Sequence, residues 1–156
     1  MQKSCGASEK TDMQSLERVQ TRLHLTDIVD GLVAVFALKG IRSISAADDR
    51  IDQSMQQIFP SIERLAEERG LEVLFRIHLH PLHGDSSAVQ DALFSTTQMG
   101  FITWDSPGER DMRIKITPES AEALLKQLPG GRRMYEVLAE AFLNCYQNPA
   151  LFAARK

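Results

Sequence analysis

The sequence predicts an α+β fold dominated by helices, with a small antiparallel β-hairpin or sheet and long N- and C-terminal helices. Three observations lead there. Apolar residues recur at three- and four-residue spacing over most of the chain, which is the period of a helix with one buried face. Around Asp105-Ser106-Pro107-Gly108, two short runs alternate instead, Phe101 to Trp104 and Met112 to Ile116. At 156 residues, with 43% hydrophobic and 25% charged residues, the chain is long enough and apolar enough to bury one core.

The elements follow in order. Residues 1–12 are polar and read as a flexible lead, 13–147 as a single domain, and 148–156 as a tail. From Met13, the spacing Leu16, Val19, Leu23 marks a first helical face. Thr26-Asp27 reads as an N-cap, and Ile28 to Leu38 is apolar enough to be buried on most of its circumference. Lys39-Gly40 ends that helix. Ser45 is expected to open the next, with Asp48 and Asp49 in its first turn and Ile51, Met55, Ile58, Phe59, Ile62 and Leu65 inward. Pro60 should kink or divide it, and Arg69-Gly70 closes it.

Leu71 to Leu79 fits two patterns. Leu71, Val73, Phe75, Ile77 and Leu79 alternate with polar residues as in a strand, while Leu71, Leu74, Phe75, Leu79 and Leu82 also fit a helical stripe; the β-branched and aromatic content tilts towards strand. Ser86-Ser87 caps a helix with Val89, Ala92, Leu93 and Met99 on its face, ending at Gly100. The hairpin comes next, and Thr117-Pro118-Glu119 opens a helix with Leu124, Leu125 and Leu128 inward. After Pro129-Gly130-Gly131, a last helix runs from Arg132 to Gln147 with Tyr135, Leu138, Ala139, Phe142 and Tyr146 inward.

Two cysteines, Cys5 and Cys145, make no disulfide framework. With no apolar run at the N-terminus and none of bilayer length, a cytoplasmic protein that does not enter membranes is expected. The net charge of −3 argues against strong nonspecific nucleic-acid affinity. Charge is unevenly distributed: residues 129–156 carry four basic and two acidic side chains, residues 71–100 one basic and three acidic.

The segment 84–128 resembles the helix-wing-helix portion of MarR-type regulators in the winged-helix superfamily. The matching pieces are Ser86-Ser87, Gly100-Phe101-Ile102, the wing turn with Arg110 and Arg113, and Ile116-Thr117-Pro118. They cover about a quarter of the chain. The resemblance implies a winged-helix-like fold whose serine-capped helix, ending at Gly100, would be the recognition helix. Partner or nucleic-acid contacts would then fall to Ser86, Ser87, Gln90, Arg110 and Arg113. That helix carries no Lys or Arg, however, and Glu109 and Asp111 offset the wing arginines. No short positioning helix is visible before Asp85. Base readout favours Arg, Lys, Asn or Gln, and here only Gln90, Gln98 and hydroxyls are offered.

His78-Leu79-His80-Pro81-Leu82-His83 is the one dense set of metal-ligand types, and it resembles the His-x-His-x-Asp-His loop of the metallo-β-lactamase superfamily. Leu82 stands where that motif has its aspartate, and no histidine follows His83. A zinc site from His78, His80, His83 and Asp85 would still have enough ligands for a tetrahedron. Against it, His78 and His80 would share the polar face of a strand over 71–80 and serve as surface side chains. No other cofactor is expected.

Ser86 and Ser87 near His83 and Asp85 read as caps before nucleophiles. Gly130-Gly131-Arg132-Arg133 would suit an anion at a helix start, or simply a loop with solvated arginines. Asp27, Asp30, Glu67 and Glu68 read as surface or first-turn charges, Trp104 as an aromatic filling the inner face of the hairpin, and His24 has no evident partner. The resulting expectation is a non-enzymatic binding module, a protein-docking adaptor or regulator that self-associates through its terminal helices as a homodimer. The alternatives are a DNA-binding repressor and a zinc-dependent hydrolase-like protein.

Overall fold

Helix α1 (Leu25–Leu38) is the axis on which the rest is packed, because its sequence leaves it almost no polar face. A computed structural model of the chain describes residues 21–105 and 111–147. Every residue of α1 from Ile28 to Phe36 is buried. The helix starts two residues earlier than the Thr26-Asp27 signal suggests: His24 is the cap, and its backbone N–H donates to Asp27 Oδ2 at 2.9 Å. It ends as expected on Gly40 (φ +80°), where the Ile41 N–H reaches back to Phe36 O at 2.9 Å.

The elements then run β2 (Ser43–Ser45), a short 3₁₀ turn (Ala47–Asp49), α2 (Arg50–Glu68), β3 (Glu72–Val73), α3 (Ser87–Gln98), β4 (Ile102–Trp104), β5 (Asp111–Ile114), α4 (Pro118–Gln127) and α5 (Arg132–Gln147). A short β1 (Arg22–Leu23) precedes α1 and pairs in parallel with β3. The main sheet is antiparallel, in the order β2-β5-β4. Ile44, Met112, Ile102 and Ile114 meet in register on its inner face, through the pairs Ile44–Met112 and Ile102–Ile114. The fold is therefore α+β and helix-dominated, with a three-stranded sheet.

Five readings are corrected. Leu23, placed on a helix by spacing, lies in β1, and the rest of that expected helix (13–20) falls outside the described residues. Ser45 does not cap α2 but ends β2; its hydroxyl accepts from the Ala47 N–H and its carbonyl from the Tyr146 hydroxyl. Its three-residue strand is too short to announce itself by alternation. Pro60 does not divide α2, since it sits on the exposed side of a helix held by Ile51, Met55, Ile58, Ile62 and Leu65. Strand pairing over 71–79 is confined to β3, because β1 offers only two residues as a partner. The alternation of exposure continues to His80 all the same, with Ile77 buried and Arg76, His78 and His80 outside. Met99, finally, is exposed and does not belong to the inner face of α3.

Helix α1 packs against α4, α3 and α5, and α2 packs against α5. The ring of Phe36 tilts onto Phe142 at 5.6 Å, and Phe142 stacks on Tyr146 at 5.8 Å. Arg50 lies 4.2 Å over the Tyr146 ring and donates to the Tyr146 carbonyl, fastening the start of α2 to the end of α5. The apolar side chains of α1 and α5 pack within the chain.

Candidate functional site

Burying a carboxylate is costly unless hydrogen bonds replace water, so a buried Asp marks a place where the fold has organised polar groups. Asp52, in the first turn of α2, is 1% exposed. Its Oδ2 accepts the Ser86 N–H at 2.7 Å, and Gln90 Nε2 donates to Oδ1 at 2.9 Å. Ser86 in turn caps α3, its hydroxyl accepting from the Val89 N–H. One side chain of α2 therefore fixes where α3 begins. Burial pushes the Asp52 carboxyl above the usual range, the Ser86 and Gln90 bonds pull it back, and Asp49 and Asp85 add like-charge repulsion.

Asp49 and Asp85 flank that hub. The loop before α2 turns through Asp48 and Asp49, both with left-handed φ (58° and 56°), a conformation Asp tolerates better than most residues. Asp49 lies close to Gly84, where an added Cβ would stand 3.5 Å from Asp49 Oδ2. Together Asp49, Asp52, Asp85, Gln90, Leu93 and Trp104 line most of an open pocket of about 450 Å³. Trp104 sits opposite Met112, on the same side of the sheet, but its ring is 37% exposed and does not fill the inner face. Its indole N–H donates to Thr97 Oγ1 at 3.1 Å, which sets the ring against α3.

The outward face of α3 adjoins this pocket. Val89, Ala92, Leu93 and Thr96 are buried, leaving Ser87, Gln90, Asp91, Phe94 and Gln98 outside, with Phe94 at the centre of the arc. Phe94 is 65% exposed and Met99 64%. Three of the five large hydrophobic residues exposed among the described residues thus lie between α3 and the strand that follows it: Phe94, Met99 and Trp104. Single exposed apolar side chains are ordinary, but a phenylalanine at the centre of a helix's outward face offers apolar surface to a partner.

The other expected site residues fall as follows. Ser86 is buried as the cap, so it offers nothing to a partner, while Ser87 and Gln90 are on the outward face. Arg113 forms a two-pronged ion pair with Asp105, at 2.8 and 3.0 Å. Arg110 and the wing turn 106–110 lie outside the described residues. Arg132 is at the start of α5, 3.3 Å from Glu122 of α4 and 3.8 Å from Glu136, and Arg133 beside it is exposed. The adjoining Gly130 carbonyl accepts from Arg69 Nε at 3.0 Å, so this segment is an inter-helix loop tied to α2.

His78, His80 and His83 are all exposed. His80 Nδ1 accepts the backbone N–H groups of Leu82 and His83, at 3.1 and 3.2 Å, and the two rings stack at 4.6 Å. The loop is closed further by the His80 N–H on Asp85 O at 2.6 Å. His80 thus organises the turn through its Nδ1. Among the described residues, no group of three or more His, Cys, Asp or Glu side chains is gathered so as to hold a metal ion.

Sequence reasoning missed Asp52, Asp49 and Asp30. Asp30 is buried in α1, and Thr96 Oγ1 stands 2.7 Å from its Oδ1; it is not the surface charge expected. The available signal was polarity on a buried stripe: Asp52 is three residues from Met55, and Asp30 lies inside an otherwise apolar helix. No protein-family model, no curated protein and no solved structure matches this chain. No helix among the described residues is long and apolar enough to cross a membrane.

Proposed function

We propose that the chain is a non-enzymatic binding module of winged-helix type that docks a protein partner on the outward face of α3. The fold-level support is the element order α1-β2-α2-β3-α3-β4-β5 with β2 against β5, which, the two-residue β3 aside, is the arrangement a winged helix would have. The observation that carries the docking reading is Phe94, 65% exposed at the centre of a helix face without a single Lys or Arg. A nucleic-acid reader needs cations there to replace released counterions and to reach base edges. This face instead presents Asp91, amides, a hydroxyl and apolar surface. Leaving a phenylalanine in water forgoes about 1.5–3 kcal/mol of burial, which a partner can recover.

A photo-crosslinking amino acid placed at position 94, in the cell from which the chain comes, tests this directly. A protein adduct is the expected product. In parallel, the purified chain should show no binding to random-sequence duplex DNA at low salt. Nucleic-acid adducts at position 94, or duplex binding that weakens steeply with salt, would establish the repressor reading instead.

A further inference from the structure

We propose that the partner presents a basic residue to this face, its ammonium or guanidinium seated between Trp104, Asp49 and Asp85 while an apolar neighbour covers Phe94. This rests on the docking reading of α3. The pocket next to Phe94 has about 450 Å³ of space, suited to a side chain and much larger than a bare ion. Its lining supplies three carboxylates and an indole, and no Lys or Arg among the described residues.

The three carboxylates are not equivalent. Asp52 is engaged by Ser86 and Gln90, and serves the fold. Asp49 and Asp85 face the same pocket, and among the described residues neither has a side-chain hydrogen bond or ion pair. Both repel the Asp52 carboxylate and help push that carboxyl above its usual range. A cation entering here relieves that repulsion, so charge complementarity selects a basic partner segment. Trp104 adds a second attraction, because an indole face favours a guanidinium or ammonium. Its N–H is already tied to Thr97 Oγ1, which leaves the ring oriented before anything binds. Gln90 and Phe94 are one turn apart on α3, so a segment lying along this helix meets the pocket and the exposed ring together.

Trp104 is the only tryptophan of the chain, so its emission reports on this pocket alone. The probes are an acetylated, amidated pentapeptide, Ala-Phe-Arg-Ala-Ala, and its citrulline counterpart, which keeps the shape and removes the charge. The arginine peptide should change Trp104 emission saturably. The citrulline peptide should bind about tenfold more weakly or less, as should the arginine peptide to the Asp49→Asn/Asp85→Asn double variant. Equal binding of the two peptides, or no emission change with either at millimolar concentration, overturns the proposal. The peptide comparison uses the unaltered chain and decides even if the double variant does not fold. Protein adducts at position 94 alongside equal peptide binding would sink the cation alone; nucleic-acid adducts would sink the docking reading beneath it.

Discussion

At Asp30 a single proton decides how α1 meets α3. Thr96 Oγ1 stands 2.7 Å from Asp30 Oδ1 and 3.0 Å from Ala92 O. One hydroxyl has one proton to donate, so it can satisfy only one of these acceptors. A protonated Asp30 supplies the missing proton to Thr96, which then donates to Ala92. Burial pushes the Asp30 carboxyl up to about 6; the Thr96 bond opposes this and Asp27 reinforces it. The folded state therefore holds the proton more tightly than the unfolded chain does. That contribution is fully present below about pH 4 and is lost as the pH rises through about 6, at most about 3 kcal/mol. Asp30→Asn should raise the melting temperature at pH 8 and flatten stability between pH 4 and 7. An unchanged slope in urea titrations across that range would show that Asp30 carries no such proton.

The link between α2 and α3 belongs to the scale of elements. Asp52→Ala removes the acceptor for the Ser86 N–H and Gln90 Nε2 at a buried site, and should cost about 1–3 kcal/mol. Amide exchange should rise most in the first turn of α3, beyond the rise in α1; a uniform increase would mean that Asp52 supports the core generally. Element identity was largely legible. Gly40, Gly70 and Gly100 end α1, α2 and α3 as their positions after the helical stripes indicate, and Thr117-Pro118 opens α4 with the Thr117 hydroxyl accepting from the Ser120 N–H at 3.2 Å. What was illegible is pairing. Ser43–Ser45 became a strand because β5 lies beside it, whereas 74–80 kept a strand's alternation without a ladder.

At the scale of the molecule, the crossing of α1 and α5 depends on Gly31. A Cβ at this position would stand 2.1–2.7 Å from three ring atoms of Tyr135. That ring is fully buried, and its hydroxyl donates to Pro129 O at 2.6 Å, so it cannot turn aside. Gly31→Ala should therefore lose stability despite its better helix propensity, by at least about 1–3 kcal/mol in denaturant titration. In a Tyr135→Val background the same change should cost much less. Equal losses in both backgrounds would place the strain elsewhere.

The sequence alone determined the helix-dominated class, the hairpin, the caps of α3 and α4 and the missing cations on α3, since these depend on local spacing and residue type. It also exposed the alternation that puts His78 and His80 outward. Only the tertiary structure decided that α1 is the central helix, that Asp30 and Asp52 are interior, and that Phe94, Met99 and Trp104 are left exposed. It likewise brought Asp49 and Asp85 to one pocket. The reason is physical: periodicity specifies which face of an element is apolar, but what that face meets depends on contacts between residues far apart in the chain. The site on α3 is read from those contacts, through the side chains they leave uncovered.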